Sequence, residues 1–361
     1  MIPPAPPSPR SPWQLLYGTA HRLRRRRWAT HAARLPRPVV SIGNLHWGGT
    51  GKTPVVAALA RHLRDRGKYV AILSRGYRGR GRGVRLVSAG AGPLLGPLVA
   101  GDEPVLLAGE LPGVAVLVGP DRHEAGRHAL ERLDPPPDIF LLDDGFSHLR
   151  LARDLDLLTL PVDDPWGGGR LFPSGRLREP LAAAARADAV VLTGLTGDPA
   201  GMGTAVAASL RTHGFTGPGF GCVARALPPR WDGGAPPGDP GSPRTEQGLG
   251  PGARVVAVAA IARPARFLRA LADHPLTVVG TLLYPDHHPY PDATLKEIEA
   301  AVRRSGADGV LATSKDRVKL SGRLGAPLAE LPVAAEPEAA FWEWLEARLV
   351  AGTAARGAPR S

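Results

Sequence analysis

The sequence predicts an α/β protein of two units with a phosphate-binding loop in the first. Three observations carry this reading. Short apolar runs alternate with amphipathic stretches on both sides of a Pro/Gly-rich loop, which implies parallel strands covered by helices. Residues 39–66 read as strand, glycine-rich turn and helix, the context that a phosphate loop requires. The loop itself, residues 228–253, is rich in Pro and Gly and reads as a flexible stretch near a domain boundary. A chain of 361 residues fits two domains at roughly 100–200 residues each.

Residues 1–12 are proline-rich and read as a disordered tail. Residues 13–33 read as an amphipathic helix, because Trp13, Leu16, Tyr17, Ala20 and Leu23 follow i, i+3, i+4 spacing. Arg22 and Arg24 to Arg27 crowd its second half, as in a helix lying in a membrane interface. A helix packed on the domain with a solvated basic end has the same pattern, so both readings stand. Strands then follow at 39–42, 69–73, 114–118, 138–142, 155–160 and 189–192, with helices at 54–66 and 122–133. After the loop come strands at 255–260, 277–281 and 309–312 and helices at 264–273 and 292–305. Phe341, Trp342, Trp344, Leu345 and Leu349 mark a terminal amphipathic helix. The expected division is 1–33, 34–220 and 221–361; whether the last helix returns to the first unit stays open.

Composition narrows the partners without choosing one. There are 45 Lys+Arg against 33 Asp+Glu, a net charge of +12, and only five of the cations are lysine. An arginine bias of this kind, with 39 Pro and 45 Gly, is what a GC-rich genome would favour. The charge admits nucleic acid, anionic lipid or a phosphorylated substrate. No aromatic-interleaved nucleic-acid module is visible, so nucleic acid is not expected. No run of about 18 apolar residues is present, so no transmembrane helix is expected. The N-terminus lacks a continuous apolar segment and does not read as a cleaved signal. Cys222 is the sole cysteine, which excludes a disulfide framework and a multi-cysteine zinc site.

The strongest motif is SIGNLHWGGTGKTP at 41–54. Gly48, Gly49 and Gly51, with Thr50 between them, let the backbone approach phosphate oxygens and aim N–H groups at them. Lys52 would reach the β- and γ-phosphates, and Thr53 would hold Mg²⁺ through its hydroxyl. The strict pattern wants glycine at 46, where this chain has His46. The second element, PDIFLLDDGFSH at 137–148, is an apolar strand ending in Asp143 and Asp144. Such a strand end holds Mg²⁺ or its water beside the phosphate loop. Side chains alternate along a strand, so one of the pair is expected to face the metal. A GTPase switch would need glycine three residues after either Asp; Phe146 and Ser147 stand there.

Taken together, the ordered motifs resemble the tetraacyldisaccharide 4'-kinase family, the lipid A kinases of Gram-negative bacteria. The resemblance runs through the two segments above and through LSRGYRGR (73–80), GDEP (101–104), VGPDR (118–122), PSGRLREP (173–180), IARPARF (261–267), YPDHHPY (284–290) and TSKDRVKL (313–320). Departures are Ser147 for the usual Gln, Ala260 for Gly and Ser314 for Glu. The resemblance implies two Rossmann-like α/β/α domains of the P-loop type, joined by a two-stranded linker. It implies ATP- and Mg²⁺-dependent phosphorylation of the 4'-hydroxyl of a tetraacylated glucosamine disaccharide 1-phosphate. It also implies peripheral attachment to the cytoplasmic face of the inner membrane; no obligate protein partner is expected. Asp102 then becomes the base for the acceptor hydroxyl, supported by His287, and Glu103 a further Mg²⁺ contact. Read alone, GDEP is more often a turn or helix cap, and PDHHP is equally a polar loop or, more weakly, a metal site. Arg75, Arg122, Arg176, Arg178 and His148 fall in matched segments and are candidates for phosphate or substrate contact. Lys315 and Asp316 lie in a matched segment without an assignable role. The rival reading is a P-loop ATPase that couples hydrolysis to assembly on a membrane or nucleic acid.

Overall fold

The computed structural model describes residues 4–6, 19, 32–232, 244–245, 248–249 and 252–357. The helix expected at 13–33 falls almost entirely outside the described residues. So does much of the 228–253 loop.

The strands in chain order are β1 (Val39–Gly43), β2 (Val70–Ser74), β3 (Arg85–Ser88), β4 (Ala115–Val118), β5 (Ile139–Asp143), β6 (Leu155–Pro161), β7 (Ala189–Leu195) and β8 (Gly219–Ala226). They continue with β9 (Arg230–Trp231), the short pair β10 (Arg244–Thr245) and β11 (Gly248–Leu249), β12 (Arg254–Ala259), β13 (Thr277–Leu283), β14 (Gly309–Thr313), β15 (Leu328–Leu331) and β16 (Val333–Pro337). Nine form one sheet in the order β16-β8-β7-β6-β1-β5-β2-β4-β3, parallel except for its two edge strands. Five form a second sheet in the order β13-β12-β14-β15-β9, parallel except for β9. Central strands such as β1 and β5 are buried along their whole length, as parallel strands covered on both faces must be.

The helices are α1 (Lys52–Asp65), α2 (Pro97–Ala100), α3 (Asp102–Glu110), α4 (Arg122–Arg132), α5 (Met202–Leu210), α6 (Pro264–Ala272), α7 (Asp292–Ser305), α8 (Ser314–Leu320) and α9 (Ala339–Gly357). α1 buries Val55, Val56, Leu59 and Leu63 against the large sheet. The terminal helix α9 joins the same core through Phe341 and Leu345, both fully buried. The Phe341 ring meets Phe220 edge-on at 5.4 Å, and Trp342 stacks on His62 at 4.0 Å.

The chain thus enters the second sheet after β8 and returns to the first through β16. The crossings run side by side, and Leu227 N–H donates to Pro332 O at 2.8 Å. The expected boundary at 220/221 falls inside β8, and residues 333–357 belong with the first sheet. Composition marked the Pro/Gly loop rather than the strand before it, and amphipathicity alone does not say which core a helix covers.

Gly43 ends β1 where the chain turns into the phosphate loop. A Cβ there would come within 2.6 Å of Phe146 N. Close approach of these segments brings the turn after β5 against the turn after β1. Gly43→Ala is expected to cost on the order of 1–3 kcal/mol through forced displacement. The measurement is a urea unfolding curve; an unchanged midpoint would show that the turn yields freely.

Candidate active site

The phosphate loop leaves the carboxyl end of β1, between β5 and β6. Gly48 and Gly51 adopt φ of 94° and 75°, conformations that a side chain would strain. Thr50 is buried and pinned from three sides. Asn44 Nδ2 donates to its Oγ1 at 2.7 Å, Thr159 Oγ1 lies 3.3 Å away, and Thr193 Oγ1 donates to its carbonyl. Gly51 caps α1, so Lys52 and Thr53 open that helix, where backbone N–H groups are unpaired within the helix.

His46 does not break the motif, because the chain there is extended rather than turned. It makes an antiparallel bridge to Leu177. Its ring is 1% exposed, and Nε2 donates to Asp164 O at 3.1 Å, leaving Nδ1 buried without a partner. Burial holds its pKa down at about 4, with Arg263 and Lys52 acting in the same sense. The folded state therefore binds fewer protons than the unfolded chain between pH 6.5 and about 4. Stability should fall as pH drops through that window, by up to about 1.4 kcal/mol per pH unit for one proton. His46→Gln should flatten the pH dependence of the urea midpoint between pH 7 and 4.5. An equally steep profile would remove His46 as a source.

The acidic strand end sits beside the loop, and its two carboxylates have different surroundings. Asp143 ends β5 and accepts a hydrogen bond from Ser74 Oγ at 2.9 Å. Burial, with the charges of Glu103 and Asp144, raises its pKa to about 6. Asp144 has left the strand with φ of 54°, so strand alternation does not apply to it. Lys52 Nζ lies 3.2 Å from Asp144 Oδ1, and Arg178 grips the carboxylate with two bonds of 2.9 and 2.6 Å. Burial opposes ionisation of Asp144, but Lys52 and Arg178 outweigh it and hold the group far below the usual carboxylate range.

Arg178 reaches this position because residues 176–178 run beside 45–47. Arg178 N–H donates to Leu45 O and Trp47 N–H to Arg176 O, both at 2.7 Å. Arg176, two residues earlier, lies exposed on Asp164 instead, at 2.8 Å, and the structure does not bring it to the acidic pair. Arg122 opens α4 and is buried, with its charge felt by Asp143 and Asp144. His148 Nε2 lies 3.4 Å from the Arg122 backbone N–H, and burial plus the Arg122 charge lowers its pKa to about 4. Arg75 follows β2 and is exposed, close enough for its charge to act on Arg122. Ser147, in place of the longer amide, donates to Glu179, which also pairs with Arg186 at 2.8 Å.

A second cluster comes from residues far apart in sequence. Asp102 is the first residue of α3, after Gly101 at φ 91°. Its Oδ2 meets His287 Nδ1 at 3.0 Å, across 185 positions, and each side chain is 12% exposed. Burial opposes ionisation of Asp102, but the His287 hydrogen bond and the charges of Lys319 and Lys315 overcome it and lower its pKa. Lys315 Nζ lies 3.0 Å from His287 Nε2 and 3.3 Å from both Glu103 and Asp286. Tyr77 meets the His287 ring edge-on at 5.4 Å. Sequence reading missed Lys319, Asp286 and Ser74. It also missed Arg263 and Arg266, at the start of α6, which both grip Asp163. TSKDRVKL was visible as a motif, and the i, i+4 spacing of its lysines was the available signal.

The residues present fit a magnesium ion. Asp143 and Asp144 stand beside the phosphate loop, and the charges of Glu103 and Asp144 add to burial in raising the Asp143 pKa. Among the described residues no three acidic, histidine or cysteine side chains form a closed cage. Mg²⁺ needs none, since it keeps waters and binds through one or two carboxylates plus substrate phosphates.

A glycine-rich loop at the carboxyl end of a central parallel strand, facing an acidic strand end, defines a P-loop nucleotide-binding protein. The profile of the family described as tetraacyldisaccharide-1-P 4'-kinase (LpxK) matches residues 10–350, and the chain belongs to that family. It is 44% identical over 314 residues to the tetraacyldisaccharide 4'-kinase of Geobacter sulfurreducens, covering 86% of this chain and 83% of that one. It is 42% identical over 335 residues to the enzyme of the same name from Anaeromyxobacter sp. strain K, covering 91% and 85%. Among solved structures it is similar to LpxK from Aquifex aeolicus in complex with ATP. The TM-score there is 0.71 at 31% identity, over 94% of this chain and 97% of that one. The chain is therefore an enzyme of the kinase class, and the ATPase alternative is not favoured.

Proposed function

We propose that this chain transfers the γ-phosphoryl group of ATP to the 4'-hydroxyl of a tetraacyl disaccharide 1-phosphate, the lipid A precursor. One observation supports the reading most. Glu103 links the two clusters, since it raises Asp143 at the phosphate loop and pairs with Lys315, which touches His287. Nucleotide and acceptor chemistry thus share one charged network.

In this reading the loop N–H groups and Lys52 hold the β- and γ-phosphates. Thr53, Asp143, Asp144 and Glu103 would hold Mg²⁺ or its waters, and the ion, when bound, neutralises phosphate charge. Arg75, Arg122 and Arg178, with His148 beside Arg122, supply further positive charge or donors toward phosphate oxygens. Asp102 accepts the proton of the 4'-hydroxyl as its oxygen forms the new bond to phosphorus, and ADP leaves from the opposite side. His287 orients Asp102. The two sheets serve as two lobes about the nucleotide, and their closure would exclude water from the transferred group.

Among the described residues no helix is long and apolar enough to cross a membrane. Attachment to the cytoplasmic face of the inner membrane, through the arginine-flanked segment 13–33, belongs to this reading. The deciding assay supplies [γ-³²P]ATP with and without the disaccharide lipid. Label appearing in the lipid is expected; release of free phosphate alone, independent of lipid, would overturn it.

A further inference from the structure

Three of the chain's five lysines, Lys52, Lys315 and Lys319, converge on the two clusters just described, in a protein that otherwise uses arginine for almost every cation. Lysine differs from arginine in presenting a compact charge with three rotatable donors, which serves several partners at one point rather than one planar partner. Lys315 and Lys319 do this. They lie at i, i+4 on α8 and so share a helix face. Lys315 Nζ sits among His287 Nε2, Glu103 and Asp286. Lys319 is 7% exposed, and its Nζ lies 3.4 Å from Asp102 Oδ2, 3.2 Å from Asp316 Oδ1 and 3.1 Å from His288 O. It also stands over the Tyr290 ring at 5.2 Å.

The backbone frame makes this placement rigid. Asp316 is fully buried and accepts from Ala260 N–H at 2.9 Å and from Thr313 Oγ1 at 2.7 Å. Ala260 O in turn accepts from His287 N–H at 3.1 Å. One residue therefore ties α8 and the His287 turn together.

We propose that Lys315 and Lys319 are positioning residues for phosphoryl transfer, each acting on one member of the Asp102–His287 pair. An ammonium only donates, so a contact from Lys315 makes His287 Nε2 an acceptor. The imidazole proton then sits on Nδ1 and is given to Asp102 Oδ2. Lys319 places its charge 3.4 Å from the same oxygen, from a second direction. The carboxylate is held in orientation by one hydrogen bond and one ion pair, both at Oδ2, and Oδ1 takes neither contact. This inference rests on the reading of Asp102 and His287 as the pair that handles the acceptor proton.

The test uses the full chain with ATP and the disaccharide lipid in mixed micelles, and compares wild type, Lys315→Met, Lys319→Met and Asp102→Asn. Lys319→Met is expected to lower kcat about 10- to 100-fold, within the range of acid–base catalysis, with KM for ATP changed less than about threefold. ¹⁵N-histidine NMR, with His287 assigned by His287→Asn, is expected to show the Nδ1–H form alone in wild type and mixed tautomers in Lys315→Met. A merely structural lysine would not move the tautomer. Wild-type kcat in both lysine variants, or an Nε2–H form in wild type, overturns the inference. So does an unchanged His287 spectrum in Lys315→Met. If Lys319→Met does not fold, the Lys315→Met spectrum and kcat decide alone. Should Asp102→Asn keep its kcat, the reading of the pair fails instead, which the lysine variants would not reveal.

Discussion

Asp102→Asn should lower kcat by roughly 10²–10⁴-fold, the contribution of a positioned base, and leave the fold intact. Asn keeps the shape of the side chain and its oxygen can still accept from His287, so the change isolates loss of the charged proton acceptor. The position tolerates the loss of charge, because Lys319 retains Asp316 at 3.2 Å and Lys315 retains Glu103 and Asp286 at 3.3 Å. KM for ATP should change little, since the contacts of Asp102 run to His287 and the lysines rather than to the phosphate loop. Lowering of kcat and kcat/KM together would mark an interaction made only in the transition state. The check is single-turnover transfer of label from ATP to the lipid. A kcat within threefold of wild type, in a variant with an unchanged melting temperature, would remove Asp102 as the base.

The phosphate loop and the acidic strand end were legible because their chemistry is local: strand, turn and helix follow within 30 residues. The Asp102–His287 pair was legible only through the family resemblance. GDEP does open a helix, as a cap reading allows, but its partner stands 185 positions away, and no local pattern reports that distance. His287 adopts φ of 61°, rare for a residue with a Cβ, and nothing in PDHHP announces it. The arginines show the same limit. Arg176 and Arg178 are indistinguishable as letters in PSGRLREP, yet the segment pairs with 45–47 and sends one to Asp164 and the other to Asp144. Strand β8, edge strand β16 and helices α3 and α8 also escaped a period-based reading. β8 is broken by glycine at 219 and 221, and α8 spans seven residues, too few for a helical period to show. The amphipathic pattern at 341–349 was visible, but not that it would cover the first sheet rather than the second.

Lys52→Ala should abolish measurable transfer, with kcat/KM down by about 10²–10³-fold or more, the cost of removing one preorganised donor from developing charge. Lys52 opens α1 directly after the φ-positive Gly51, so its backbone is fixed by the loop and the substitution removes only the side chain. Asp144 keeps both bonds to Arg178 when Lys52 is lost, which is why the protein should remain folded with its acidic strand end in place. Lys52→Arg should not rescue activity. A planar guanidinium already grips Asp144, and a second one would offer that carboxylate another fork where the phosphates need a compact charge. Isothermal titration with ATP separates two outcomes. Weaker nucleotide binding in proportion to the lost rate would assign Lys52 to ground-state phosphate contact. Near-normal binding with lost transfer would assign it to the charge that develops as phosphorus changes partners. A folded Lys52→Ala variant that phosphorylates the lipid at the wild-type rate would separate the loop from the chemistry altogether. The neighbouring acidic pair would then need some purpose other than serving a nucleotide.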